Sequence, residues 1–138
     1  MRCAACALAA LLVAAVSAQP VSKEVKDDLC RFYHATTGSG WQNNLGWAEA
    51  CDTPSAPTSA FPCATAWHGI DCDTTADPSI VRQIGLKANN LVGELVSLSS
   101  LSSSLLAFQV SVNQKLQGTL EPLLSLRAVK QLLLDGTA

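Results

Sequence analysis

Residues Val81 to Leu95 read VRQIGLKANNLVGEL, and the spacing within them decides how the rest of the chain is read. Val81, Ile84, Leu86, Asn89, Leu91 and Leu95 stand at L-x-x-L-x-L-x-x-N-x-L followed by one further apolar residue. The alternation Ile84, Gly85, Leu86 sends apolar side chains to one face of a short strand. Asn89 can hydrogen-bond backbone groups where the chain turns out of that strand. A single unit of this kind cannot close a core, because its apolar edge stays wet until a neighbour stacks against it.

The spacing recurs. Leu105, Phe108, Val110 and Asn113 repeat it 24 residues on, and Leu116, Gly118 and Leu120 follow after one extra residue, at Gln114 or Lys115. Val129, Leu132, Leu134 and Thr137 begin a third unit another 24 residues along, with Thr137 in the asparagine position. Units therefore run over 81–104, 105–128 and, in part, 129–138, within a repeat region of 80–138.

Upstream, residues 1–18 read as a signal peptide. Arg2 gives the basic start, Ala4 to Val16 the apolar run, and Val16-Ser17-Ala18 a small-residue cleavage site. An uncleaved signal anchor fits less well, since no basic stop-transfer flank follows. Without Arg2, Cys3 and Cys6, about 120 residues remain, enough for one modest domain. Eight basic residues then face eleven acidic ones, scattered singly, so the composition argues against a nucleic-acid partner. Leu95 to Val112 is broken by serines and is not a membrane span.

Four cysteines stay in the mature chain, Cys30, Cys51, Cys63 and Cys72. An even count in a secreted chain reads as two disulfides, with three connectivities open. Pairing Cys63 with Cys72 closes a short loop and leaves Cys30 for Cys51. A metal site on Cys63, His68 and Cys72 is the sharper alternative, but the C-x₂-C spacing of structural zinc is missing.

Taken in order, the mature chain opens with an amphipathic helix over 21–35. Val21, Val25, Leu29, Phe32 and Tyr33 form its apolar face, Ser22 is its N-cap, and the charges between, Asp27 and Asp28 included, form a solvated face. Next, WQNNLGW places Trp41 and Trp47 around Asn43 and Asn44. Aromatics at this density pack down as a cap, with carbohydrate stacking as the functional alternative. Asp52 to Pro62 carries three prolines and reads as an exposed loop, a candidate for O-glycosylation; no N-x-S/T sequon occurs.

Then comes CATAWHGIDCD, Cys63 to Asp73. The helix with L-x-x-F-Y-x-A-T-x-G-x-x-W, the motif W-x-N-N-x-G-W, the run C…W-x-G-I-x-C and the N-x-L-x-G-x-L of the repeats together resemble the N-terminal cap and first repeats of extracellular leucine-rich-repeat proteins of plant or protist type. The resemblance spans about Val21 to Ala138 and is most specific at Trp67, Gly69, Ile70 and Cys72 and at Asn89, Leu91, Gly93 and Leu95. It departs from the plant pattern where proline should follow Leu95 and Leu120, which are followed by Val96 and Glu121. The resemblance implies an α/β-type leucine-rich-repeat solenoid, with a helical, disulfide-bonded N-terminal cap over 19–79 and about two and a half repeats bearing short parallel strands. The cap motif also favours Cys63–Cys72 and Cys30–Cys51.

No nucleophile elbow, phosphate loop, zinc-protease motif or dinucleotide fingerprint appears. His68 sits inside the cap loop, and His34 lies at the helix end, where its protonated form would suit the dipole. Asp71, Asp73 and Asp77 lack the Gly and Glu of a calcium loop. An enzyme would need carboxylates such as Asp71, Asp73 and Glu94 to converge. The expectation is instead a binding module without catalytic residues, metal or cofactor.

Its ligand-facing residues are those of the strands that miss the core, on a shared concave surface. Gln83, Ala107 and Gln131 form one row, Gly85, Gln109 and Leu133 a second, and Lys87, Ser111 and Asp135 a third. These mixed polar rows suit a protein or glycan ligand, met in secretion or on the outer face of the plasma membrane, as in receptor ectodomains, secreted hydrolase inhibitors or adhesins. A passive structural or adhesive surface protein is the second reading. The third unit stops after its strand, so the sequence is expected to be a fragment of a longer protein, with further repeats and a C-terminal anchor beyond Ala138 or, failing that, self-association over the uncovered edge.

Overall fold

The computed structural model describes residues 20–137; the expected signal peptide, 1–18, lies outside the described residues. The described chain begins with helix α1, Lys23–Ala35. Its N-cap is Ser22, whose Oγ accepts the Val25 N–H at 3.4 Å, and its end is closed by Thr36, whose hydroxyl donates to the Phe32 carbonyl. Leu29, Phe32 and Tyr33 are buried along one stripe. Asp28, expected in solvent, is buried as well. Its carboxylate pairs with Arg31 at 3.0 Å and accepts from the Ser100 N–H at 3.0 Å and the Ser100 hydroxyl at 2.6 Å. A carboxylate can be buried only with such partners, and one of them, Ser100, lies 72 residues away in sequence.

A second, short helix α2, Trp47–Cys51, precedes six strands: β1 Ile70–Asp73, β2 Ile80–Gly85, β3 Val92–Glu94, β4 Ala107–Gln109, β5 Lys115–Gln117 and β6 Gln131–Leu133. One sheet has the order β1-β2-β4-β6 and a second pairs β3 with β5. In the first, β1 runs antiparallel to β2, while β2, β4 and β6 are parallel. Ile84 faces Phe108 and Phe108 faces Leu132, a step of 24 residues at each pairing. In the second sheet Gly93 faces Leu116. This pairing lies two positions short of the Gly93–Gly118 match that the sequence suggests.

This is a small mixed α/β fold, and it corrects the expectation of a leucine-rich-repeat solenoid. The main sheet is mixed because β1 folds back on β2. The segments returning from β3 and β5 hold only short 3₁₀ turns, at Ser99–Leu101 and Glu121–Ser125, and no repeat helix. In a solenoid each unit touches its neighbours alone; here α1 reaches across two, at Ser100 and at Phe108. Phe32 meets Phe108 edge to face at 6.1 Å and Trp41 at 6.0 Å, and the Val92 N–H donates to the Thr36 carbonyl. A Cβ on Gly93, at φ 130°, would lie 2.1 Å from the Ala35 carbonyl oxygen, so the helix end rests on β3 backbone that only glycine leaves open.

The repeat-core expectation also needs correction at its ends. Val81, Ile84, Leu86, Asn89, Leu91, Leu105, Phe108, Val110, Asn113 and Leu116 are buried. Leu95, Val129 and Leu134 are half-buried, while Leu120 is 53% and Leu132 44% exposed. Among the described residues β6 has no strand on its far side, so side chains there pack on one flank only.

Both disulfides join the expected cysteines, Cys30 to Cys51 and Cys63 to Cys72. Loop-closure entropy over sequence separations of 21 and 9 residues predicts losses of about 3 and about 2.5 kcal/mol when each bridge is removed. Cys30→Ala/Cys51→Ala should therefore unfold at lower urea than Cys63→Ala/Cys72→Ala. The reverse order would mean that native-state packing of the second loop outweighs loop entropy.

Around the first bridge, Tyr33 donates to the Asp52 carboxylate at 3.1 Å. Burial, and then this carboxylate, push the phenol pKa upward. A raised folded-state pKa gives stability that is complete below the unfolded value and lost as pH rises through the folded one. Urea midpoints should thus fall above about pH 10, and Tyr33→Phe should flatten the decline. A profile unchanged by Tyr33→Phe would assign the loss to another group.

Candidate functional site

The strand register sets the outward residues of the main sheet in lines, because cross-strand partners point to the same side. Asp71 faces Gln83, Gln83 faces Ala107, and Ala107 faces Gln131; Gly85 faces Gln109, which faces Leu133. Beyond the strands, Ser111 donates to Asp135 at 2.6 Å, and the Gln109 side-chain amide donates to Gln131 at 3.0 Å. Asp71 was missed in the sequence as a member of this face. The alternation Ile70, Asp71, Cys72, Asp73 was the available signal for the strand that carries it.

Not every expected contact residue is accessible. Lys87, Gln131, Leu133 and Asp135 are exposed, and Gln83, Gly85 and Gln109 are half-buried. Ala107 and Ser111 are buried, the first as a short side chain between two glutamines and the second beneath the Asp135 carboxylate. They support the face and do not offer themselves to a ligand. The hydrogen bond from Ser111, with a smaller contribution from Lys87, holds the Asp135 pKa below its ordinary value. The face therefore presents amides, one apolar side chain, a cation and two carboxylates.

Stacking on a sugar is removed from the tryptophans by their position. Trp41, Trp47 and Trp67 are buried, and each indole N–H donates inward, to the carbonyls of Thr36, His68 and Ala60 respectively. Gly69 belongs to the same packing. At φ 76° it lets the chain pass where a Cβ would lie 2.3 Å from the Gly85 carbonyl oxygen. Cys63 and Cys72 are spent in their disulfide, so they cannot ligate a metal with His68. Asp73 is occupied by Thr75 and, at 3.4 Å, by Arg82, and hydrogen bonds from Thr75 lower its pKa first. Glu94 lies on the other sheet. Among the described residues no three His, Cys, Asp or Glu side chains gather as a metal-sized group.

No family model, curated protein or solved structure matches the chain.

Behind the face, two asparagines organise the turns out of β2 and β4. Asn113 Oδ1 accepts the N–H groups of Asn89 and Leu91, and its Nδ2 donates to the carbonyls of Leu86 and Val110. Asn89 grips Asn43 in the same manner, accepting its N–H at 2.8 Å and donating to its carbonyl at 2.9 Å. These grips leave a repeated left-handed residue: Ala88 at φ 50°, Val112 at φ 60° and Gly136 at φ 71°. For a β-branched residue such a conformation is an outlier that costs roughly 1–2 kcal/mol. Val112 is nonetheless 43% exposed, so little burial offsets the strain.

Proposed function

We propose that the chain is an extracellular recognition module that binds a polypeptide partner across the outward face of β1, β2, β4 and β6. The observation that carries this reading is the division of side chains. All seven aromatic residues of the chain, Phe32, Tyr33, Trp41, Trp47, Phe61, Trp67 and Phe108, are buried, whereas the sheet face carries amides, Lys87, Leu133 and two carboxylates. Without an aromatic platform the face lacks the stacking surface that sugar rings and unpaired bases use. Amides and isolated charges beside a leucine match backbone groups and mixed side chains of a protein surface. The two disulfides support an oxidising, extracellular setting, as does the resemblance of the cap and repeat motifs to extracellular leucine-rich-repeat proteins. No helix among the described residues is long and apolar enough to cross a membrane.

The test is differential capture from the extracellular fluid of the source, with the immobilised wild-type chain beside Gln109→Arg/Gln131→Arg on the face and Glu121→Arg off it. A partner held by wild type and by Glu121→Arg, lost with the double variant and insensitive to glycosidases, is the expected result. Capture that survives the double variant, or that disappears on deglycosylation, overturns the reading. If nothing is captured by any bait, the passive structural role takes its place.

A further inference from the structure

A second surface lies away from the sheet face, over the turns that follow β2 and β4. There a cleft of about 290 Å³ is lined by Gln42, Asn90, Val112, Gln114 and Lys115, over a floor of Leu91 and Asn113. From this cleft we infer a binding site for a branched aliphatic carboxylate, either a small acid or a carboxyl-bearing side chain beside an apolar one on a partner.

Three observations lead there. First, Lys115 is the only charged residue of the lining, and among the described residues it has no carboxylate within ion-pair distance. In the turns Asp135 accepts from the Ser111 hydroxyl, and Glu94 on β3 faces Gln117 and lies beside Gly118. One cation suits a monoanion. Three of the turns' N–H groups, those of Ala88, Leu91 and Val112, are already given to the Ser111 carbonyl, Asn113 Oδ1 and the Asp135 carbonyl.

Second, Gln42 and Gln114 line the same cleft as the cation, and Asn90 is fixed there by its own bond to the Gly40 carbonyl at 2.9 Å. Side-chain amides donate readily to a carboxylate.

Third, Val112 is held in the left-handed region, where its counterparts along the chain are Ala88 and Gly136. An exposed, strained, branched side chain contributes nothing evident to folding, and its place beside Lys115 makes it the apolar contact for the ligand's aliphatic part. Backbone strain that persists at an exposed position is the kind of outlier that points to a use.

The experiment is a two-dimensional amide NMR titration of the intact disulfide-bonded protein. Isovalerate is the free-acid probe, isovaleramide its neutral control, and N-acetyl-Glu-Leu-amide the side-chain probe. Isovalerate is expected to shift Asn90, Val112 and Lys115 with a Kd on the order of 1 mM, a magnitude suited to so small a ligand, while isovaleramide shifts none of them. Tighter binding of the peptide would assign the site to a partner protein; binding of isovalerate alone would assign it to a small acid.

Lys115→Gln should weaken either ligand about tenfold, the scale expected for loss of one charge-assisted contact. Val112→Gly should weaken it similarly without lowering the melting temperature, since the glycine relieves the strain. No shift with either carboxylate, equal shifts with isovaleramide, or full binding by Val112→Gly each overturns the proposal. A Val112→Gly protein that melts lower would make the valine structural and overturn it too.

Discussion

Leu86→Asp is expected to abolish cooperative folding, and Val110→Asp to come close, while Gln83→Ala and Gln109→Ala melt near the wild-type temperature. Leu86 and Val110 are fully buried, one below the Gly69 passage, where its Cδ2 would be 2.9 Å from a Cβ on that glycine, the other between the Asn113 grip and β6. A carboxylate in either place has no cation or donor in reach and must be desolvated or protonated, at a cost of several kcal/mol. A domain of this size has in total about 5–15 kcal/mol. The glutamines lie on the other side of the same strands, and Gln109 loses only an exposed amide bond to Gln131, an effect within about 0.5 kcal/mol. Thermal denaturation followed by far-ultraviolet dichroism separates the sets. Four equal midpoints would mean that the faces of β2 and β4 are assigned the wrong way round.

How far the sequence could carry the fold is seen at particular residues. Ile84, Phe108 and Leu132 are spaced by 24, and that is the step at which β2, β4 and β6 pair; a fixed period in apolar residues translates directly into register because every strand must turn the same parity inward. The cysteine count likewise constrained the bridges to a few choices.

What periodicity could not carry was the packing between dissimilar segments. Nothing local to Asp28 marks it as the buried partner of Ser100, because the bond joins a helix to a serine-rich turn and neither has a pattern that refers to the other. The antiparallel β1 is concealed inside a cap motif dominated by Trp67 and two cysteines. Together these elements gather α1, both sheets and the tryptophan cluster into one core, and that is why a chain with repeat spacing adopts a small mixed fold.

The candidate face divides in the same way. Which residues share a line follows from period two along the strands, but accessibility does not. Ala107 is buried because its neighbours in the line are longer, and Ser111 because Asp135 folds over it; both depend on the side chains across the strand, which a single strand's pattern omits. Lys115 was legible only as one of two places for an inserted residue, and Val112 only as the end of the serine-broken stretch from Leu95. The left-handed turn that brings them to one cleft is a property of backbone angles, and for valine propensity argues against it.

Asn113→Ala should be the most damaging polar substitution in the molecule. Its side chain satisfies the buried backbone at four main points, the N–H groups of Asn89 and Leu91 and the carbonyls of Leu86 and Val110. Alanine leaves all four without that partner in a buried turn, and unsatisfied buried groups cost about 1–3 kcal/mol each, so a loss of roughly 4 kcal/mol is expected after partial relaxation. Asn113→Asp tests the donors separately. It retains an acceptor for the two N–H groups but aims a second oxygen at the carbonyls of Leu86 and Val110, so it should be no more stable than the alanine variant near neutral pH, recovering as acid protonates it. Asn89→Ala frees the Asn43 backbone, which is only part-buried, and should lose about half as much. Urea unfolding gives the order, and amide exchange gives the place: in Asn113→Ala the protons of Asn89 and Leu91 should exchange far faster than those of α1. If Asn113→Ala unfolds within about 0.5 kcal/mol of wild type, or if those two amides stay as protected as before, the turn is held by strand pairing alone and the asparagine grip is incidental.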